Sequence, residues 1–352
     1  MNALYLGHYR EDTDLGSSSR RFIHGLIKKD INLAVRPLYH FRNNTFRLTD
    51  QDILKVENAE YNNYDCVFQH TIPVNFCYNK SLGKNIGILD IQTINTQYGS
   101  MIDYINLMDK VYLRSSYGIK HLKKYVKNTS IDIIPEPFDS IDNTYVKNDD
   151  EYRFYAKGNT DNHYNLFKVI VAFLSEFSNE TIPQLILYMN DDESKITNML
   201  NKAYKKLNIK AHTSEKIVVV NNKFDEQEEE NIIRNAHCAI NIDKADSSAI
   251  FTIKNLLYKN IIITQKESAS CYYVNDNNAI LAESYPTNVE DMANAYDNSI
   301  YSIYEKWYDT DINSLKSCMR NAYCLSENEI KSKQCHIDTN LFSYNKFCET
   351  IP

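Results

Sequence analysis

Glycine is scarce in this 352-residue chain: there are eight, beside seven prolines and one tryptophan. No G-x-G-x-x-G follows the first apolar strand, which excludes the usual dinucleotide-binding dehydrogenase. The eight cysteines form no C-x-x-C pair, and Cys66 and Cys238 sit inside apolar strands, so free thiols of a reducing compartment are expected. The spacing of Cys324, Cys335 and His336 is too irregular for a zinc site. No apolar run approaches the roughly 20 residues that a membrane span requires. No export-type apolar segment opens the sequence, so the reading is a soluble cytoplasmic protein rather than a periplasmic binding protein. A formal net charge of −7 argues against a whole-surface footprint for nucleic acid and leaves only a local basic groove open.

What is present is an ordinary globular composition, 43% hydrophobic and 24% charged, in a chain long enough for two domains. Apolar strands alternate with amphipathic helices. NALYLGHY, INLAVRPL, YDCVFQH, KNIGILDIQT, KVYLRSS and SIDIIPEP read as strands, with helices SSSRRFIHGLIKKD, YGSMIDYINLMD and SYGIKHLKKYV among them. After a hydrophilic stretch from Asp139 to Tyr152, the pattern restarts. RFYAKG, PQLILYMN, KIVVVN, HCAINI and NIIIT are strands, and YNLFKVIVAFLSEF, KITNMLNKAYKKL, EQEEENIIRNA and the segment carrying Lys254 are helices. Capping boxes at Asp225–Glu228 and Thr287–Glu290 mark two helix starts, the second within PTNVEDMANAY after Pro286. Near-continuous apolar strands in such alternation predict parallel sheets covered on both faces. The expected architecture is α/β, two doubly wound Rossmann-like domains facing across a cleft. Residues 1–148 form the first domain and 149–330 the second, with a helix in 331–352 crossing back to the first.

In such folds ligands bind beyond the carboxyl ends of strands, beside helix N-termini that favour anions. The segment AINIDKADSSAIFTIKNLLYKNIIIT fits that description: a strand, a loop with Asp243, Lys244, Asp246, Ser247 and Ser248, then a helix with Lys254. The charge run Glu226 to Glu230 reads as a solvated helix start, and Glu136 in IPEPFD as a loop carboxylate.

The order of these elements, with YLGHYRE…GSSSRRF, FQHTIP, NLMDKVYLRSS, IIPEPFD, FYAKGN…YNLFKVIVAF and FTIKNLLYKNIIIT, resembles glycosyltransferases of the GT-B fold, family-4 type. The resemblance implies a transferase moving a sugar from a nucleotide-diphosphate donor to an acceptor hydroxyl, with an N-terminal acceptor domain, a C-terminal donor domain and no essential metal or cofactor. It places Gly16 and Ser17 in a turn against the donor diphosphate. Lys157 matches the cation that neutralises the departing diphosphate, while Tyr164 stands where a second cation is usual, with Asn159 or His163 as partial substitutes. Asp246 corresponds to the carboxylate that orients sugar hydroxyls, and Lys254 to the acidic residue that holds the ribose. Lysine accepts no hydrogen bond, so Lys254 is expected on phosphate. Ser247 and Ser248 would add backbone donors. On the acceptor side His70 stands at a strand mouth, and Asp90 with Gln92 at the end of the next strand, where a base would suit an inverting enzyme.

A looser resemblance to phage DNA β-glucosyltransferase opens a second acceptor besides a saccharide or glycoconjugate, namely hydroxymethylcytosine DNA. A basic rim from Lys28, Lys29 and the helical face Lys120, Lys123, Lys124 and Lys127 would serve it. The rival expectation is a catalytically degenerate GT-B protein that binds sugar nucleotide or glycan without turnover.

Overall fold

The computed structural model describes residues 1–39, 45–95, 99–139, 141, 147, 151–209, 216–222, 226–289 and 304–351. The chain divides into two compact units. The first comprises Met1–Ile91, Asn95–Ser140 and Asn340–Pro352, the second Gln92–Ile94 and Ile141–Thr339.

The first unit runs β1 (Asn2–Gly7), α1 (Asp14–Lys28), β2 (Asn32–Pro37), α2 (Gln51–Glu57), β3 (Cys66–His70), β4 (Lys84–Ile88), α3 (Gly99–Leu107), β5 (Lys110–Leu113), α4 (Ser116–Leu122) and β6 (Ser130–Ile133). Its six strands form one parallel sheet in the order β2-β1-β3-β4-β5-β6. In register, Tyr5 of β1 lies between Val35 and Phe68, and every residue of β3 is buried, as an apolar strand covered on both faces must be. Helix α1 is capped by Thr13, whose side chain accepts from the Gly16 N–H, and carries Asp14 in its first turn and Lys28 in its last, matching the helix dipole. It buries Phe22, Ile23 and Leu26. The short α2, held by the Asp50 side chain at its N-cap, has no counterpart in the sequence reading. Helix α4 ends at Leu122, so Lys123, Lys124 and Lys127 do not continue a helical face with Lys120.

The second unit runs β7 (Tyr152–Gly158), α5 (Leu166–Phe177), β8 (Pro183–Met189), α6 (Glu193–Leu207), β9 (Ile217–Asn221), α7 (Glu226–Asn235), β10 (Cys238–Asn241), α8 (Ile250–Leu257), β11 (Ile261–Gln265), β12 (Ile280–Ala282), β13 (Ser284–Asn288), β14 (Lys306–Thr310), α9 (Ile312–Cys324) and α10 (Glu327–Cys335). Six strands again form one sheet, ordered β12-β11-β10-β7-β8-β9. Phe154, Val169, Phe173, Leu187, Ile240, Ile263 and Met319 lie in its core. The helix expected from Pro286 is not formed there. Residues 284–288 are strand β13, paired antiparallel with β14 so that Thr287 faces Trp307. Burial of Trp307 against Ala245 and Val289 overrides the local capping signal, and Pro286 is tolerated because this two-stranded ribbon is all edge. The rest of that expected helix, and the Asp225 cap of α7, lie outside the described residues. Among the described residues no helix is long and apolar enough to cross a membrane.

The final helix, α11 (Tyr344–Thr350), belongs to the first unit and packs on α1. The Phe347 ring meets Phe22 edge-on at 5.0 Å. A Cβ on Gly25 would lie 2.4 Å from the Phe347 ring, so only glycine lets the two helices approach this closely. Lys29 Nζ donates to the carbonyls of Cys348 (2.6 Å) and Ile351 (2.7 Å), satisfying groups that a helix C-terminus leaves open. Phe347→Ala is expected to destabilise the first unit by about 3–5 kcal/mol. Chemical denaturation of the variant tests this; an unchanged midpoint would place α11 outside the core.

Candidate functional site

In each sheet the chain first builds to one side and then returns to the other. The carboxyl ends of β1 and β3, and of β7 and β10, therefore stand at the reversal of strand order, where open α/β sheets bind ligands.

In the first unit, His8, His70, Asp90, Arg114 and Glu136 come from the carboxyl ends of successive strands or just beyond them. Arg114 is 1% exposed and Glu136 fully buried, and the two form an ion pair. Arg21 of α1 pairs with the other oxygen of Glu136 at 2.7 Å, and Ser18 donates to Glu136 at 2.9 Å while accepting from Arg114 at 2.7 Å. Glu136 is thus the buried centre of a network, not a loop carboxylate. Arg114 Nη2 also donates to His70 Nε2 at 2.6 Å. An arginine has no acceptor, so the His70 proton sits on Nδ1, 2.6 Å from the Tyr5 hydroxyl. Burial and the Arg114 charge hold His70 well below the usual histidine range. His70 is 1% exposed, with both ring nitrogens engaged by Tyr5 and Arg114. Asp90 differs. Its carboxyl is raised by burial against the opposing pull of Arg114, which lies 4.0 Å away, and its side chain remains 26% exposed.

Gly16 and Ser17 stand at the N-terminus of α1. The helix begins at Asp14, so both lie inside its first turn, with the Gly16 N–H on Thr13 Oγ1 (3.0 Å) and the Ser17 N–H on the Thr13 carbonyl (2.8 Å). A Cβ at Gly16 would stand 2.1 Å from the Glu11 carbonyl oxygen. Glycine is needed there for close packing against the 8–11 loop.

The second unit brings together residues from both of its expected donor segments. Lys157, at the end of β7, lies 3.1 Å from Glu229 of α7, and Lys254 of α8 lies 2.8 Å from the other Glu229 oxygen. Glu229 is 3% exposed. Burial alone would raise its carboxyl, but the two ammonium charges outweigh burial and lower it to about 2. Glu229 is therefore not part of a solvated charge run. It shares a helical face with Ile233 and Ala236, both buried, a spacing of four and three that marks it as inward-facing.

Beside this triad the loop after β7 meets the loop after β10. The Lys244 N–H donates to the His163 carbonyl at 2.8 Å, and Asn165 Nδ2 to the Ile242 carbonyl at 3.3 Å. Asn159 accepts from the Asp161 N–H (2.7 Å) and shapes the turn. His163 is 8% exposed and its Nδ1 has no partner; burial lowers it to about 4. Asp309 of β14 bridges Lys168 (2.5 Å) and Lys244 (3.5 Å). Asp246 is held within its own loop, accepting from Asn241 (3.1 Å), Ser270 (2.7 Å) and the Ala249 N–H (2.9 Å). The Ala249 N–H is thereby occupied. Ser247 and Ser248, partly exposed before α8, keep N–H groups with no partner among the described residues.

Arg21, Arg114, Glu136, Glu229, Lys244 and Asp309 were not assigned to a site from sequence. Charged residues directly after apolar strands, as in KVYLR, are the signal that finds some of them. Among the described residues, His24, Asp50 and Asp52 form the one grouping with metal-donor proximity, and Asp50 there caps α2. All eight cysteines are free thiols.

No protein-family model and no curated protein sequence matches the chain. Solved structures do. HepE from Anabaena, solved with UDP and glucose, aligns with a TM-score of 0.65 at 11% identity, covering 99% of this chain and 97% of that one. Sucrose-phosphate synthase from Thermosynechococcus elongatus aligns at 0.65 and 10% identity, covering 99% and 96%. A trehalose 6-phosphate synthase from Burkholderia multivorans aligns at 0.62 and 8% identity, covering 99% and 94%. The chain has the GT-B fold. Its GT-B neighbours are glycosyltransferases, and the alignments extend over both units rather than one.

His163 gives a pH test of this edge. Unfolded, it binds a proton near 6.5; folded, only near 4. The folded form therefore loses stability as pH falls from 6.5 to 4. His163→Asn should show a shallower fall in melting temperature across that window, and an equal slope would show that His163 is not buried neutral.

Proposed function

We propose that the chain is a glycosyltransferase that takes a UDP-sugar in the second unit and passes the sugar to an acceptor hydroxyl. The observation that carries the reading is that Lys157 and Lys254 share the buried Glu229, with the Ser247–Ser248 turn opening the helix that carries Lys254, within a GT-B fold. Cations and backbone N–H groups at that point suit a diphosphate, whose developing charge is the largest electrostatic demand of glycosyl transfer. UDP is the favoured nucleotide because the HepE structure holds it. Asp90 is the group suited to accept the acceptor's proton, since a carboxyl raised by burial is a better base near neutrality. A saccharide is favoured over hydroxymethylcytosine DNA because the lysines after Leu122 do not form one helical face.

A degenerate, binding-only protein is the second reading. It is favoured by the internal bonding of Asp246 and by the carboxylate that Lys157 and Lys254 share.

Nucleoside-diphosphate release from UDP-, GDP- and ADP-sugars, with and without hydroxymethylcytosine DNA, separates these. UDP release without DNA stimulation is expected; binding without release selects the second reading, and DNA-dependent release selects the DNA acceptor. Lys157→Ala should weaken UDP affinity about tenfold, whereas Asp90→Asn should lower turnover and leave UDP affinity unchanged. Asp246→Asn should lower turnover with a small loss of stability. Equal UDP affinity in a Lys157→Ala titration would remove that residue from the site.

A further inference from the structure

Two lysines at one strand-end crevice would ordinarily repel, and a buried glutamate would ordinarily be unstable. Here each problem offsets the other. Glu229 presents one oxygen to Lys157 at 3.1 Å and the other to Lys254 at 2.8 Å, while Tyr155, itself fully buried, approaches the first oxygen at 3.4 Å. The lysine side chains are 13% and 20% exposed and the carboxylate side chain 4%, so the cations lie nearer solvent and the anion beneath them. The three elements that bring them together are fixed independently: β7 in mid-sheet, α7 by Ile233 and Ala236, and α8 by Ile253 and Leu256.

We propose that Glu229 is a positioning residue that locks Lys157 and Lys254 into a two-pronged diphosphate clamp with one net positive charge. The inference rests on the donor reading above and adds the residue that makes the clamp work. Each lysine has a distinct part. Lys254 bonds one Glu229 oxygen and Lys157 the other, so the two ammonium groups together outweigh the one carboxylate between them. Without Lys254, Lys157 and Glu229 form a neutral pair, and the buried carboxylate opposes an incoming anion. Without Glu229, two like charges lose the anchor that holds them side by side. Removing both leaves a single cation.

This arrangement predicts a change of sign in a double-mutant cycle. Titration calorimetry with UDP and with inorganic pyrophosphate is the readout. Lys254→Met should weaken both about tenfold. Glu229→Gln should weaken both in the otherwise unchanged protein, yet strengthen both in the Lys254→Met background. A glutamate that merely supports the fold would weaken binding in both backgrounds, and that additive result would overturn the proposal. So would a failure of the unchanged protein to bind either anion. The two readings fail separately. A sign change on pyrophosphate with no turnover of any UDP-sugar removes glycosyl transfer and keeps the clamp; turnover with an additive cycle keeps the transferase and removes the clamp.

Discussion

Both units rest on one interaction, a buried glutamate carboxylate bridged by two cations at the carboxyl edge of a parallel sheet. Glu136 joins Arg21 to Arg114, and Glu229 joins Lys157 to Lys254. A lone carboxylate at this depth would cost several kcal/mol, and one partner rarely restores the whole of it. Two partners on one carboxylate offset that cost in both units. The geometry around them follows. Arg21 must face inward, which fixes the rotation of α1 and hence its Phe22–Phe347 contact with α11. Glu229 must face inward, which sets the rotation of α7 on the sheet.

The two clusters nevertheless do different things. In the first unit Arg114 is itself deeply placed, while Arg21 is 14% exposed, and Arg114 commits further donors to Ser18 and His70. That network holds the strand ends rigid and leaves Asp90 as its partly exposed acidic member. In the second unit the cations are lysines, compact charges on flexible stems with three donors each, and they lie nearer solvent than the carboxylate between them.

The fold was largely legible because parallel strands buried on both faces leave a long apolar signature. All six strands of the first sheet, and five of the six in the second, stand where apolar runs stood in the sequence. The β13–β14 ribbon was not legible, because its stability comes from burying Trp307 rather than from the residues of β13. Lys157 and Lys254 were legible as cations near strand and helix ends. Glu229 was lost inside a run of like charges, although its spacing from Ile233 and Ala236 distinguishes it from Glu228 and Glu230. The start of α1 was misplaced for a local reason: Thr13 caps the helix three residues earlier than the serine cluster suggests.

The loop of Asp246 is shaped by its own hydrogen bonds. Ala249 adopts a left-handed backbone, with φ of 58°, which costs a residue with a Cβ roughly 1–2 kcal/mol. The Asp246 carboxylate offsets that strain by taking the Ala249 N–H, while Asn241 and Ser270 fix the carboxylate itself. A carboxylate so engaged has little freedom to reorient towards a sugar. It holds the turn before α8, where the Ser247 and Ser248 N–H groups have no partner among the described residues.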